Sequence, residues 1–497
     1  MYAPLRCSPI LYIKGTSIRL AAVQLSTGPR RLSIRAVTSL AQSRFTRRTI
    51  LKGASPREQL LSQIHRLPRT GRVWVGFSGG LDSSWLLYTL AALRADLPFH
   101  VSAVHINHGL SPMAGQWAEQ VRRICGHWRI PLEIIGISAQ VPAGESIEAW
   151  ARARRYAAFA DLLQADEILL TAHHRDDQAE TLILQLLRGA GPKGLAAMPF
   201  IRRLGAGWQA RPLLGLSRES FRQDARAAGL RWIEDLSNTD TRFDRNFLRL
   251  EILPRLRERW PQLDRTLARA AGLQAQADAV LTDVANKVLA GIMDPQGLSL
   301  DIKGLLAIDE AVQGPTLRAW LGRQEIPIPD QGLLARIPNE VIAAAPDAQP
   351  RLAWLGGEIR RYRGRLYAAR PRVRKDLAPV AWPAPTPLEI AGGLLSAEPV
   401  AGSGIAASVW DCSGRQPPAE VRFRLGGERI RPVGSPHSRT LKHLFQEAGV
   451  PPWERSCIPL IFIEKNMAAV AGYWVAEGYQ AQSGEAGYRL HWRKSAL

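Results

Sequence analysis

Hydrophobic positions between residues 57 and 240 follow two alternating rhythms. Short, nearly unbroken apolar runs at 73–77, 101–106, 132–137 and 167–171 read as buried strands. Between them, amphipathic stretches at 84–90, 116–128, 146–163 and 177–187 read as helices, the third with Ile147, Ala151, Tyr156, Phe159 and Leu163 near helical spacing. This β-α-β alternation predicts an α/β domain: a parallel sheet covered by helices on both faces, with ligands bound at the carboxyl ends of its strands. Residues 245–300 read as mostly helical, and 305–400 show no clear pattern. The prolines of 379–387 read as a linker. Residues 388–493 alternate short strands with one helix at 440–449, a small α+β module. No internal repeat and no run of 18 apolar residues occurs, so no membrane-spanning helix is expected.

The glycine turn Ser78-Gly79-Gly80-Leu81-Asp82-Ser83 links the first strand to its helix. Two glycines allow the backbone N–H groups to turn inward, and the helix N-terminus behind them adds partial positive charge. The result is a cradle for an anion, with the Ser78 and Ser83 hydroxyls as further donors. Asp82 fits such a cradle only if a cation accompanies the anion, which points to Mg²⁺ bridging phosphate oxygens. G-x-x-x-x-G-K-[ST] is absent, which excludes a Walker-type site. The six-residue string resembles the pyrophosphate loop of the N-type ATP pyrophosphatases, which split ATP between the α and β phosphates.

Two more strings follow strand ends. In His105-Ile106-Asn107-His108-Gly109-Leu110, two histidines three apart lack a third ligand at zinc spacing, so His105, Asn107 and His108 read as nucleotide-placing residues. Thr171-Ala172-His173-His174-Arg175-Asp176-Asp177-Gln178-Ala179-Glu180-Thr181 crowds three acids into a helix start behind two histidines. Capping explains one or two of those acids. The full set beside a phosphate loop implies a cation, either Mg²⁺ or a substrate ammonium.

Charge adds a polyanionic partner. The 497 residues suggest two to four domains and carry 65 basic against 44 acidic residues, a formal +21. Nine arginines and two lysines precede the first acid, Glu58, and the remainder still carries +10. The leader, 1–56, reads either as an organelle transit peptide or as sequence upstream of a mis-assigned start; the second reading is preferred. Cys7, Cys125, Cys412 and Cys457 are widely separated without a C-x-x-C, which argues against zinc, iron–sulfur and disulfide frameworks and fits a reducing cytoplasm.

Taken in order, these strings resemble one family, the bacterial tRNA(Ile)-lysidine synthetases. The match continues through Arg188–Met198, Arg211-Pro212-Leu213-Leu214, residues 232–238, Arg245-Asn246-Phe247-Leu248-Arg249 and Ile252-Leu253-Pro254. It resumes at 426–431 and 441–453, which look like the C-terminal domain of the longer family members. The resemblance implies an adenine-nucleotide alpha hydrolase-like catalytic domain at 57–240, a mostly helical tRNA-binding domain at 241–378 and a C-terminal tRNA-binding domain at 388–497. It implies a ligase that adenylates C2 of the wobble cytidine in a CAU anticodon of an isoleucine tRNA. Free L-lysine then displaces AMP, giving lysidine and pyrophosphate. Asp82, Asp176 and Asp177 are then expected to hold Mg²⁺ and, with His173 and His174, to form the catalytic group. Ser78 to Ser83 take ATP. Asp177 and Glu180 hold the lysine ammonium groups and Arg152 its carboxylate. Arg188, Lys193, Arg245, Arg249, Arg429, Arg431, Arg439 and Lys442 grip tRNA phosphates. The oligomeric state is left open, with a homodimer among the forms considered. The alternatives are a tRNA thiolase of the same superfamily, although paired cluster cysteines are missing, and a non-catalytic tRNA-binding protein.

Overall fold

The computed structural model describes residues 54–494, apart from 138–139, 143–145, 235–238, 346–347, 371–377, 391–392 and 411–418. Residues 1–53 of the leader and the Asp235–Asn238 end of one matched string lie outside the described residues, while the last leader residues, Ser55 and Pro56, open the first helix instead of lying outside the fold. The chain divides into two units at Pro68. The first contains α1 (Pro56–Ile64), which starts on a reciprocal cap: the Ser55 hydroxyl accepts from the Glu58 N–H, and the Glu58 carboxylate accepts from the Ser55 N–H at 2.7 Å.

The second unit begins with a six-stranded sheet in which β1 (Arg72–Gly76) lies centrally. It is joined by β2 (His100–Asn107), β3 (Leu132–Gly136), β4 (Ile168–Leu170), β5 (Ile201–Leu204) and β6 (Gly207–Ala210), in the order β3-β2-β1-β4-β6-β5. Neighbouring strands are parallel except for β5, which pairs antiparallel with β6 at the edge. Val73, Val75, Val104, Ile168, Leu169 and Leu170 are fully buried, the burial expected of a parallel sheet covered on both faces. The covering helices include α2 (Leu81–Ala92), α3 (Ala114–Trp128), α4 (Ile147–Leu162) and α5 (Arg175–Leu187). The chain builds β1, β2 and β3 outward to one side, then returns to place β4 on the other side of β1. That reversal opens a crevice at the carboxyl ends of β1 and β4, where the glycine turn and the acid-rich string emerge.

After the short α6 (Pro192–Leu195) and the β5–β6 hairpin, α7 (Arg218–Ala227) docks on α2. The Trp85 and Phe221 rings stack at 5.3 Å, and Trp85 Nε1 donates to Asp224 Oδ2 at 2.7 Å. The chain then runs through α8 (Asp244–Phe247), a π-helical turn (Leu248–Ile252), α9 (Leu253–Arg259) and the 30-residue α10 (Leu263–Ile292), which packs along α5.

The region expected to be helical also contains a sheet. Strands β7 (Ser299–Asp301), β8 (Arg351–Trp354), β9 (Gly357–Tyr362) and β10 (Arg365–Ala369) pair in the order β7-β10-β9-β8 over a core of Leu300, Trp320, Leu321, Ile337, Ile359 and Leu366. Arg363 and Gly364, both at positive φ (48° and 72°), form the tight turn between β9 and β10. The proline-rich segment is likewise not a free linker. Val380–Trp382 pairs with Ala419–Arg422 in a five-stranded sheet, and the fully buried Trp382 donates through Nε1 to the Thr386 carbonyl at 2.8 Å. An edge strand can tolerate the flanking prolines because its outer N–H groups have no partner to lose. A four-stranded sheet and the hairpin Arg429–Ile430/Arg439–Thr440 complete this module, and Leu441–Glu447 supplies its expected helix. Trp453 stands at the joint with β9 and β10. Tyr362 and Tyr367 meet its ring edge-on at 6.2 and 5.5 Å, and Arg360 lies over it at 5.2 Å.

Candidate active site

The loop after β1 is braced from within. The Ser83 hydroxyl donates to the Gly80 carbonyl (3.1 Å) and accepts from the Ser78 N–H (3.3 Å), while Ser84 Oγ donates to the Gly79 carbonyl (3.2 Å). Ser83 is therefore a strut of the loop, while Ser78 remains exposed. Leu81 is buried and contributes packing at the first turn of α2. Gly79 adopts φ +83°, and a Cβ there would lie 2.6 Å from Ile233 Cδ1. Ile233 closes beneath the turn, its N–H donating to the Gly79 carbonyl at 2.9 Å. Gly79→Ala is thus expected to weaken ATP binding about tenfold, roughly 1.4 kcal/mol of backbone strain, as read by calorimetric titration of a normally folded variant.

His105 is buried in β2, with Nδ1 2.8 Å from the Phe77 carbonyl. A carbonyl only accepts, so Nδ1 carries the proton and the ring steadies the strand that leads into the loop. Burial lowers its pKa, and burial together with Arg155 lowers that of His108. Asn107 accepts from the Gly109 N–H at 3.0 Å and shapes the next turn.

His174 joins the two carboxyl-end loops. It caps α5, its backbone N–H donating to Asp177 Oδ2 at 3.0 Å, and its ring is 1% exposed. Nε2 lies 3.3 Å from Asp177 and 3.7 Å from Asp82, and Nδ1 lies 3.8 Å from Asp176. Burial pushes its pKa down, but the three carboxylates outweigh burial and raise it. Burial pushes Asp82 up, yet His174 and then Arg218 leave it lowered; Asp177 is likewise lowered by His174 and Arg245 against burial. His174 is a hub between the loop acid and the helix acids. His173 differs: burial, reinforced by Arg211, Arg245 and Arg152, pushes it down to about 3, so it is neutral.

The acids expected to take lysine are already paired. Arg245 donates to Glu180 at 2.7 Å and to Asp177 at 2.8 Å; Arg249 donates to Glu180 at 2.7 Å and to Asp177 at 3.0 Å. These two arginines, expected on tRNA phosphates, lie instead on the buried acids, because α8 and its π-helical turn present positions i and i+4 to the same pair. Arg152 is exposed, with its guanidinium 5.1 Å from the centre of the Tyr156 ring. Arg188 and Lys193 are exposed beyond the end of α5. In the C-terminal hairpin, Arg429 and Arg439 lie on paired strands, Arg431 follows the first strand and Lys442 follows the second. Arg439 also pairs with Glu447.

Sequence reading missed Arg218, whose Nε donates to Asp82 Oδ1 at 3.0 Å while its backbone N–H donates to Asp176 at 3.3 Å. It also missed Gln209, which donates to Thr171, and quoted Thr171 without giving it a part, although it lies 3.0 Å from His173 Nδ1. Only the Ser217 cap before Arg218-Glu219-Ser220-Phe221 hinted at a helix start there.

A glycine turn that cradles anions at a sheet reversal, facing a cluster of carboxylates, defines an ATP-using enzyme of the PP-loop class. Residues 55–256 match the PP-loop domain model, 300–367 the TilS substrate binding domain and 419–492 the TilS substrate C-terminal domain. The tRNA(Ile)-lysidine synthase of Coxiella burnetii is 39% identical over 87% of this chain and 96% of its own length. That of Serratia proteamaculans is 41% identical over 88% and 99%. The chain belongs to the tRNA(Ile)-lysidine synthase family. Among solved structures, a U34-tRNA thiolase from Methanococcus maripaludis aligns with 44% of this chain and 78% of its own at 14% identity, TM-score 0.37.

Proposed function

We propose that this protein uses ATP to join free L-lysine to C2 of the wobble cytidine in the CAU anticodon of an isoleucine tRNA. The products are lysidine, AMP and pyrophosphate, and the place of action is the cytoplasm. The observation that carries this reading is the convergence of the glycine turn with Asp82, Asp176, Asp177 and Glu180 at one sheet crevice.

The C2 oxygen is a poor leaving group, so it first attacks the α phosphorus and pyrophosphate departs. The turn at 78–83 receives the pyrophosphate on backbone N–H groups. Among the described residues, no three His, Cys, Asp or Glu side chains converge as a closed metal cage. An open carboxylate set of this kind suits Mg²⁺, which completes its shell with phosphate and water. Asp82 and Asp176, which both accept from Arg218, would hold that ion, which would supply charge neutralisation at the phosphates. Asp177 is the weaker ligand candidate, since both its oxygens already accept hydrogen bonds.

Asp177 and Glu180 can take a lysine ammonium only in exchange for Arg245 and Arg249. The exchange releases two guanidinium groups next to the departing phosphates, where planar donors bind well. The ε-amine, once neutral, attacks C2, and AMP leaves with the former C2 oxygen. Residues 57–240, with Arg245 and Arg249, thus carry the chemistry, while the rest of 241–378 and 388–497 carry tRNA.

Incorporation of labelled lysine into unmodified isoleucine tRNA with a CAU anticodon tests the reading; ATP cleavage on tRNA without lysine incorporation would discard the lysine assignment. For the C-terminal grip, Arg429→Ala/Arg431→Ala is expected to weaken tRNA binding and to flatten its log–log salt dependence by about 2. Undiminished affinity in filter binding would remove this hairpin from the interface.

A further inference from the structure

Gln209 lies in β6, fully buried, and all four hydrogen-bonding positions of its side-chain amide are used. Oε1 accepts from Arg202 Nε at 2.7 Å and from Arg211 Nη2 at 2.9 Å. Guanidinium groups only donate, so this end of the amide must be the oxygen. Nε2 therefore points the other way, donating to Thr171 Oγ1 at 2.9 Å and to the Tyr156 hydroxyl at 3.3 Å.

Thr171 Oγ1 in turn lies 3.0 Å from His173 Nδ1. Its oxygen already accepts from Gln209, and among the described residues its one proton has no other hydrogen-bond acceptor. A threonine oxygen has a second lone pair and could accept from a ring N–H as well, but only donation to Nδ1 gives the hydroxyl proton an acceptor, and that arrangement leaves Nδ1 unprotonated. The proton of the neutral ring then sits on Nε2. His105 shows the opposite arrangement, with Nδ1 protonated against the Phe77 carbonyl.

We propose that Gln209 and Thr171 are positioning residues that fix the tautomer of His173, so that the resting enzyme presents Nε2–H to substrate as a hydrogen-bond donor. The direction of donation runs from Arg202 and Arg211, through Gln209 and Thr171, to the ring. A donor in this place serves an oxygen that gains negative charge, either on the transferred phosphate or at C2, and cannot accept a proton from lysine at the same atom. The role in the reaction rests on the site reading above; the tautomer itself does not.

Both are tested by ¹⁵N-histidine labelling and long-range ¹H–¹⁵N correlation of the nucleotide-free full chain, with His173 assigned by difference against His173→Gln. The expected wild-type pattern is an unprotonated Nδ1 and a protonated Nε2. Gln209→Glu keeps the shape and the arginine contacts but replaces the donor toward Thr171 with an acceptor. The threonine hydroxyl then turns to the carboxylate, accepts from Nδ1–H, and the pattern inverts. With it, kcat for lysidine formation should fall about 10- to 100-fold, while KM for ATP is little changed. Thr171→Ser should preserve both pattern and rate, whereas Thr171→Val should mix the tautomers, and it carries the same readout if Gln209→Glu fails to fold. A wild-type ring protonated on Nδ1, or a pattern unmoved by both Gln209→Glu and Thr171→Val, overturns the relay. Inversion without loss of kcat overturns the part of His173 in the reaction and leaves the relay standing.

Discussion

Asp82→Ala is expected to lower ATP–pyrophosphate exchange about 10³-fold, roughly 4 kcal/mol of transition-state stabilisation, with the fold intact. Asp82 stands in the first turn of α2, within reach of His174 and Arg218. It is the acid of the turn proposed to receive pyrophosphate, and a cation held there would meet phosphate charge as it develops. Removing it leaves His174 with Asp176 and Asp177, so the hub keeps partners. Arg218 is 42% exposed and can turn to water, so its lost ion pair contributes little to stability. The thermal midpoint should therefore move only a few degrees while exchange is lost. Exchange within tenfold of wild type, measured on purified tRNA substrate, would remove Asp82 from the phosphate chemistry.

Glu180→Ala should act on both stability and lysine use. Glu180 is 1% exposed and accepts from both Arg245 and Arg249. Its loss strands two largely buried guanidinium groups on the single carboxylate of Asp177. Breaking a buried pair typically costs 3–5 kcal/mol; partial exposure of the arginines and their remaining partner reduce this to about 2–4 kcal/mol. Denaturant unfolding should show that loss, and the double replacement Glu180→Ala/Arg249→Ala should lose less than the sum of the two single changes. The KM for lysine should rise at least tenfold, because one of its two proposed ammonium partners is gone. Additive stability losses would mean that the charges do not sense one another.

The candidate crevice was legible because its signals are local. A glycine turn between strand and helix, and acids in a first helical turn, declare themselves within ten residues at Ser78–Ser83 and His173–Glu180. Their neutralisation was not legible, since Arg245 lies 65 residues from Glu180 and Arg218 136 residues from Asp82. Those pairings follow from how α7 and α8 dock, which periodicity does not encode. The middle sheet was hidden for another reason. Arg351, Arg360, Arg361, Arg363 and Arg365 interrupt the alternation that marks a strand, and their charges are met by Glu358 or by backbone carbonyls, those of Ile342 and Gln446 from neighbouring helices, that come within reach only in the folded chain. At 379–387, prolines outweighed the Val380-Ala381-Trp382 run because loop chemistry and edge-strand chemistry use the same residues.

The Trp453 joint bears on which nucleic acids this protein can hold. Two grips on one polyanion reinforce each other only when the body between them is stiff, because a slack connection dilutes the second grip. Tyr362, Tyr367 and Arg360 clasp one indole, and Arg455 donates to the Tyr362 hydroxyl at 3.2 Å from the same short helix. If both modules take tRNA as proposed, a joint held on several sides would keep their two grips at a set spacing. On that reading, an anticodon stem-loop cut from its tRNA would offer the right bases but engage only one of the two grips.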